Sequence, residues 1–133
     1  MTPTARRLVP PLATAVLGAA VVGYVGLVDP NQAGHYPTCP FLFLTGLYCP
    51  GCGSLRALHA LAHVDVVTAV DRNPLMGAAI PLLLWTWLRW TRRAARGRSR
   101  TSAAPPWAVW SLLGVILGFW VLRNVPGLEW LAP

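Results

Sequence analysis

The chain has 133 residues, of which 55% are hydrophobic and only 11% charged, with a formal net charge of +7. A soluble domain of this size could not be covered by so few charges, and the charge-free runs are long enough to cross a bilayer. All basic residues are arginine, and six lie between Arg89 and Arg100 beside two apolar runs, so the positive charge reads as inner-face membrane anchoring and no nucleic-acid partner is expected.

The first charge-free run, about residues 8–28, follows Arg6 and Arg7 and is long enough for a transmembrane helix. It exceeds the apolar core of a cleaved signal and offers no clean small-residue cleavage site, so a retained anchor is expected. Asp29-Pro30-Asn31 then marks a turn. The apolar stretch Phe41 to Tyr48 is too short to cross a bilayer and is expected at the interface or beneath the cysteine motif. Gly53 and Ser54 open a helix to about Val64, with Ser54 as its expected cap. At 100° per residue Arg56, His59 and His63 share one stripe and the leucines take the other side. Asp65 is placed to cap a second short helix, Val66 to Arg72. Asn73-Pro74 reads as the cap and first residue of a second span, about residues 74–91. A polar, arginine-rich loop leads to a third span, about residues 105–122, and the chain closes in an interfacial tail around Trp130.

All three cysteines fall in the segment Cys39 to Cys52, as Cys39-Pro40 and Cys49-Pro50-Gly51-Cys52-Gly53. Three chemistries fit. A disulfide from Cys39 to Cys49 or Cys52 would staple an exported loop, and is the plainest of the three. A Cys-x-x-Cys pair at a helix entrance could act as a thiol couple, with Cys49 attacking and Cys52 resolving. A Cys-Pro-x-Cys-Gly turn also has the shape of a zinc knuckle, with Cys39, Cys49 and Cys52 as ligands and His35 as the best-placed fourth. The cofactor stays open at this point, with zinc as the metal that this ligand set suits. His59 and His63 sit too far along the helix to join it: Cys52 to His59 is a rise of about 10 Å.

The order Cys39-Pro40, Thr45-Gly46, Cys49-Pro50-Gly51-Cys52-Gly53-Ser54-Leu55-Arg56-Ala57 and Asn73-Pro74-Leu75 resembles a bacterial family of small membrane proteins, catalogued as domain of unknown function 2752. The resemblance covers about residues 37–84. It implies a membrane module with no established activity, whose signature positions here are Cys39, Pro40, Gly46, Cys49, Pro50, Cys52, Gly53, Arg56, Asn73 and Pro74. The family commonly has threonine where this chain has Leu55.

The expected architecture is a single all-α membrane domain, with three transmembrane helices and two short interfacial helices between the first and second spans. The bias of arginine places the N-terminus in the cytoplasm and the cysteine loop outside a bacterial plasma membrane. The expected function is that of a non-enzymatic module, a scaffold or accessory subunit, with its loop held by disulfide or metal. Its partners would be the lipid bilayer and a membrane protein or a second copy. Arg56 would orient the loop or hold an anionic group. The alternative is a membrane thiol-disulfide oxidoreductase using Cys49 and Cys52.

Overall fold

The computed structural model describes residues 3–32, 34–98 and 104–132. The described residues form helices and no strands: α1 (Pro3–Leu27), α2 (Pro40–Thr45), α3 (Ser54–Ala62), α4 (Val66–Arg72), α5 (Pro74–Ala95), α6 (Pro106–Leu122) and a closing 3₁₀ turn (Glu129–Leu131). The boundaries of α3 to α5 follow from local chemistry. The Asp65 carboxylate accepts from the Thr68 backbone N–H at 3.0 Å and starts α4. The Asn73 side-chain oxygen accepts from the Met76 N–H at 3.0 Å, and Pro74 supplies the first residue of α5, where a missing N–H costs nothing.

Two local expectations are corrected. Ser54 does not cap α3; it is the first helical residue, and Gly53 occupies the cap position at φ +83°, a conformation that penalises any side chain. The apolar stretch after Cys39 also contributes a helix, beyond the two short ones expected. Pro40 opens the short helix α2, which ends at Gly46 in the left-handed region with its N–H donating to the Leu42 carbonyl. Three short helices, rather than two, therefore separate α1 from α5.

The ends of the long helices converge in two sets. At one end, Arg7 near the start of α1 donates to the Gly97 carbonyl just beyond α5. A turn further in, the Trp87 indole N–H donates to the Pro11 carbonyl at 3.0 Å. At the other end, the last turn of α1 meets α3, where Val25 accepts from His59, and the close of α6 meets the cysteine loop. The small helices form a cap over that second end. Its core is alanine: Ala57, Ala60 and Ala69 are buried, flanked by Leu61 and Met76. Small side chains let α3, α4 and α5 approach closely. A Cβ on Gly77 would stand 3.0 Å from Val70, and one on Gly26 would stand 3.2 Å from Ala62.

Outside this cap the long helices expose many large apolar side chains. The molecule's accessible area is 9580 Å², against roughly 6800 Å² for a folded soluble chain of 14.4 kDa. Val16 on α1 is 71% exposed and Trp110 on α6 is 70% exposed. By length and composition α1 is long and apolar enough to cross a membrane, and α6 is a shorter apolar helix. The second half of α5 carries Arg89, Arg92 and Arg93, which shortens its uncharged stretch. The closing tail is only partly interfacial in character: Trp130 is exposed, while Leu131 is buried.

Candidate metal centre

The two-part cysteine motif becomes one cluster because the chain between its parts folds back. Cys39 precedes α2, and the glycine that ends α2 reverses the backbone toward Tyr48. The segment 49–54 then makes two successive turns, Cys52 N–H to the Cys49 carbonyl at 3.1 Å and Ser54 N–H to the Gly51 carbonyl at 3.0 Å. These turns aim both thiols of the Cys-Pro-Gly-Cys loop at Cys39. Cys49 Sγ lies 3.1 Å from Cys52 Sγ and 3.5 Å from Cys39 Sγ. All three sulfurs fall within 4.8 Å of one another. Three thiolates on one tetrahedral zinc at about 2.3 Å would stand about 3.8 Å apart, inside that spread. The donor set and its spacing thus fit a single soft or borderline metal ion.

Among the described residues this ligand group contains the three cysteines and no histidine. His35, the expected fourth ligand, is exposed and lies outside the group. His59 and His63 also lie outside it. His59 turns back onto α1, with Nδ1 2.8 Å from the Val25 carbonyl and Nε2 3.8 Å from the Asp29 carboxylate.

The loop is held by buried polar side chains from two distant parts of the chain. Asn73 is 1% exposed. Its amide nitrogen donates to the carbonyls of Pro50 and Cys52, both at 3.1 Å, and contacts the Ser54 hydroxyl at 3.2 Å. From the other side comes Arg123, 2% exposed, at the C-terminus of α6. Its Nη1 donates to the carbonyls of Cys49 at 2.8 Å, Cys52 at 3.2 Å and Pro50 at 3.4 Å. The guanidinium also lies 4.9 Å from the Phe119 ring centroid and 5.8 Å from that of Tyr48. Next to it, the Asn124 side chain exchanges two hydrogen bonds with the backbone of Tyr48, each at 2.9 Å. Arg56 is exposed on α3 and lines a separate cleft with His59 and His63.

The three thiols do not share one electrostatic environment. Cys39 is drawn below the ordinary thiol range, chiefly by the Leu42 N–H beside it and then by the Cys49 thiol. Cys52 is pushed up to about 12, first by burial and then by its hydrogen bond with Cys49. Arg123 is lowered by burial, opposed by the charges that Cys52 and Cys49 carry when ionised.

Arg123 is the functional residue that sequence reasoning missed, together with Asn124. A signal was present: Arg123 is the single charge ending a long apolar run, on the side where arginine is scarce. Its role required the return of α6 to the loop, 71 residues from Cys52.

The signature positions from Cys39 to Pro74 lie in one segment of the molecule, and Arg123 and Asn124 lie beyond it. No curated protein and no solved structure matches the chain. Residues 39–87 match the model of a family described as a protein of unknown function, DUF2752, the same family that the cysteine signature resembles.

Proposed function

We propose that this protein is a three-span bacterial plasma-membrane module whose outer loop holds one divalent metal ion, zinc by its ligand set, through Cys39, Cys49 and Cys52. It acts as a scaffold or accessory subunit rather than as an enzyme. The observation that carries the metal reading is Arg123. Its guanidinium is buried, and among the described residues it pairs with no carboxylate and leaves Nε and Nη2 without a hydrogen-bond partner. A buried unpaired charge costs several kcal/mol. The nearest groups able to compensate it are the cysteines. Three thiolates on a divalent ion carry one net negative charge, which balances the guanidinium. A disulfide with one protonated thiol carries none. Charge balance therefore favours the metal over the staple. Three protein ligands leave the fourth position for water or for a side chain of a partner.

The span reading rests on how the helix ends pair. The close of α1, the start of α5 and the close of α6 gather at the cysteine loop, and Arg7 meets Gly97 at the opposite end. Alternate crossings by α1, α5 and α6 produce that arrangement. They put the arginine-rich segment at the inner face and the loop outside. At about 26 Å, the 17 residues of α6 lie at the short limit for a span.

Metal and thiol counting on the purified full-length chain tests the site, with thiols blocked at lysis and no chelator present. One zinc per chain, with three thiols released to alkylation only by a chelator, is expected. Metal-free protein with one disulfide and one free thiol overturns the assignment. For the spans, tags at the two termini should be accessible from opposite sides of the membrane; finding both inside rejects three crossings.

A second reading, thiol-disulfide exchange, draws on the 3.1 Å approach of Cys49 and Cys52. It is weakened by the charge balance: a disulfide between Cys49 and Cys52 removes the two thiolates that would compensate the buried Arg123 guanidinium. A mixed disulfide trapped on Cys49 in a Cys52→Ser chain would restore it.

A further inference from the structure

On the outer side of α3 and α4, away from the thiols, a cleft of about 280 Å³ opens between the two helices and the turn after α1. Four of its lining side chains are basic: Arg56, His59 and His63 from α3 and its close, and Arg72 from the end of α4. Thr68 and Asn31 add a hydroxyl and an amide. We infer that this cleft is an anion site that binds a phosphate group, the chemistry shared by an anionic lipid headgroup and free phosphate.

Charge accounting supports the inference. Asp65 is the acidic residue that lines the cleft and Asp29 stands beside His59, and both are occupied locally; the third aspartate of this segment, Asp71, precedes Arg72 on α4 and does not line the cleft. The Asp65 carboxylate, on the wall of the cleft, accepts the Thr68 N–H that caps α4. The Asp29 carboxylate accepts from the backbone and side chain of Asn31 and lies 3.8 Å from His59. Among the described residues no ion pair engages Arg56 or Arg72. Two guanidiniums therefore face one open space with their donors free, and a phosphate offers the several acceptor oxygens that forked donors match. The imidazoles contribute less than the guanidiniums: Nδ1 of His59 and of His63 is directed at a backbone carbonyl, of Val25 and of His59 respectively, and Nε2 of His59 faces the Asp29 carboxylate at 3.8 Å.

Position favours the lipid as the source. The cleft lies at the end of the molecule where α1 closes and α5 begins, which is headgroup depth if those helices are spans. To that extent the inference rests on the proposed topology; it does not depend on the metal. The segment 29–73 is otherwise poor in basic residues, with Arg56 and Arg72 as its two arginines, and both line this one cleft.

Native mass spectrometry of the full-length chain tests the inference. The protein is released from micelles doped with phosphatidylglycerol, with phosphatidylcholine as the neutral control, and in a separate arm is titrated with inorganic phosphate. The double variant Arg56→Gln/Arg72→Gln should lower phosphatidylglycerol retention about tenfold or more. The inner-face pair Arg92→Gln/Arg93→Gln serves as the comparison for general attraction between arginine and lipid. Loss of phosphate binding in the outer-face variant with unchanged lipid retention would keep the site and make free phosphate its ligand. Unchanged lipid and phosphate binding in that variant overturns the inference, whether affinity is absent throughout or is lost only in the inner-face pair. Helicity by circular dichroism and the metal content should match the parent chain, which separates this outcome from failure of the cysteine centre.

Discussion

The cysteine end of the molecule and the free length of α6 are opposites in how they are held. At the cysteine end, Asn73, Arg123 and Asn124 make side-chain hydrogen bonds to the loop backbone, and the helices beneath meet through alanine and glycine. Along α6, by contrast, residues from Pro106 to Gly118 are exposed apart from the half-buried Ala108 and Ile116. Among the described residues, polar bonds and an edge-to-face contact between Trp120 and Phe41 fasten the close of α6. Specific polar contacts thus set the geometry of the loop, whereas the helix surfaces are suited to a solvent as apolar as themselves.

The largest expected effect comes from removing a ligand from the ordered end. Cys49→Ser should abolish stoichiometric zinc and lower the unfolding temperature together, because binding free energy at such sites is also folding free energy; elemental analysis and a thermal melt check both. Next is Arg123→Gln, which should weaken zinc binding by about 10–100-fold, as loss of an outer-shell partner does. A competition titration against a chelator measures it. In metal-free protein the same change should cost much less stability than in the loaded form, since it removes an uncompensated charge. Equal losses in both states would make Arg123 a purely structural clamp.

Asn73→Ala removes the α5 cap and leaves loop carbonyls short of a donor. Chemical denaturation in detergent should show a loss of about 2–4 kcal/mol. Asn73→Asp keeps the cap but not the donors and should recover only part of it. Shortening the contrast from the other side, Asn124→Ala frees α6 from Tyr48 and should cost about 1–2 kcal/mol, with faster hydrogen exchange at the end of α6.

The smallest effect is a pH response at the α4 cap. The Thr68 side chain and N–H hold Asp65 below its ordinary carboxylate value of 3.8. A depressed folded-state value stabilises the protein above the unfolded value, and that contribution is lost as pH falls through the folded one. Stability should therefore decline on acidification below about pH 4, and Asp65→Asn, which can still cap, should flatten that part of the profile.

Much of the organisation was legible in the residues themselves. Charge-free length marked α1 and α6, and the pairs Asp65-Val66 and Asn73-Pro74 carry their own start signals for α4 and α5, because capping is a contact over three residues. The cysteine spacing also announced a cluster. What the local pattern could not reveal was which outlying groups would meet that cluster. His35 was favoured as the fourth ligand because a flexible segment near Cys39 could reach, yet it lies outside the group that the three cysteines form. Arg56 was expected to orient the loop or to hold an anionic group, and the structure places it in the lining of the cleft beside His59 and His63.

From sequence alone came the helical class, the caps of α4 and α5 and the clustering of the three cysteines along the chain, since each depends on residues a few positions apart. The tertiary structure alone brought Arg123 and Asn124 from the end of α6 onto the loop carbonyls, and Asn73 beneath them. Those contacts join residues separated by 19 to 76 positions. Their register is fixed by how helix ends assemble, which no local spacing encodes.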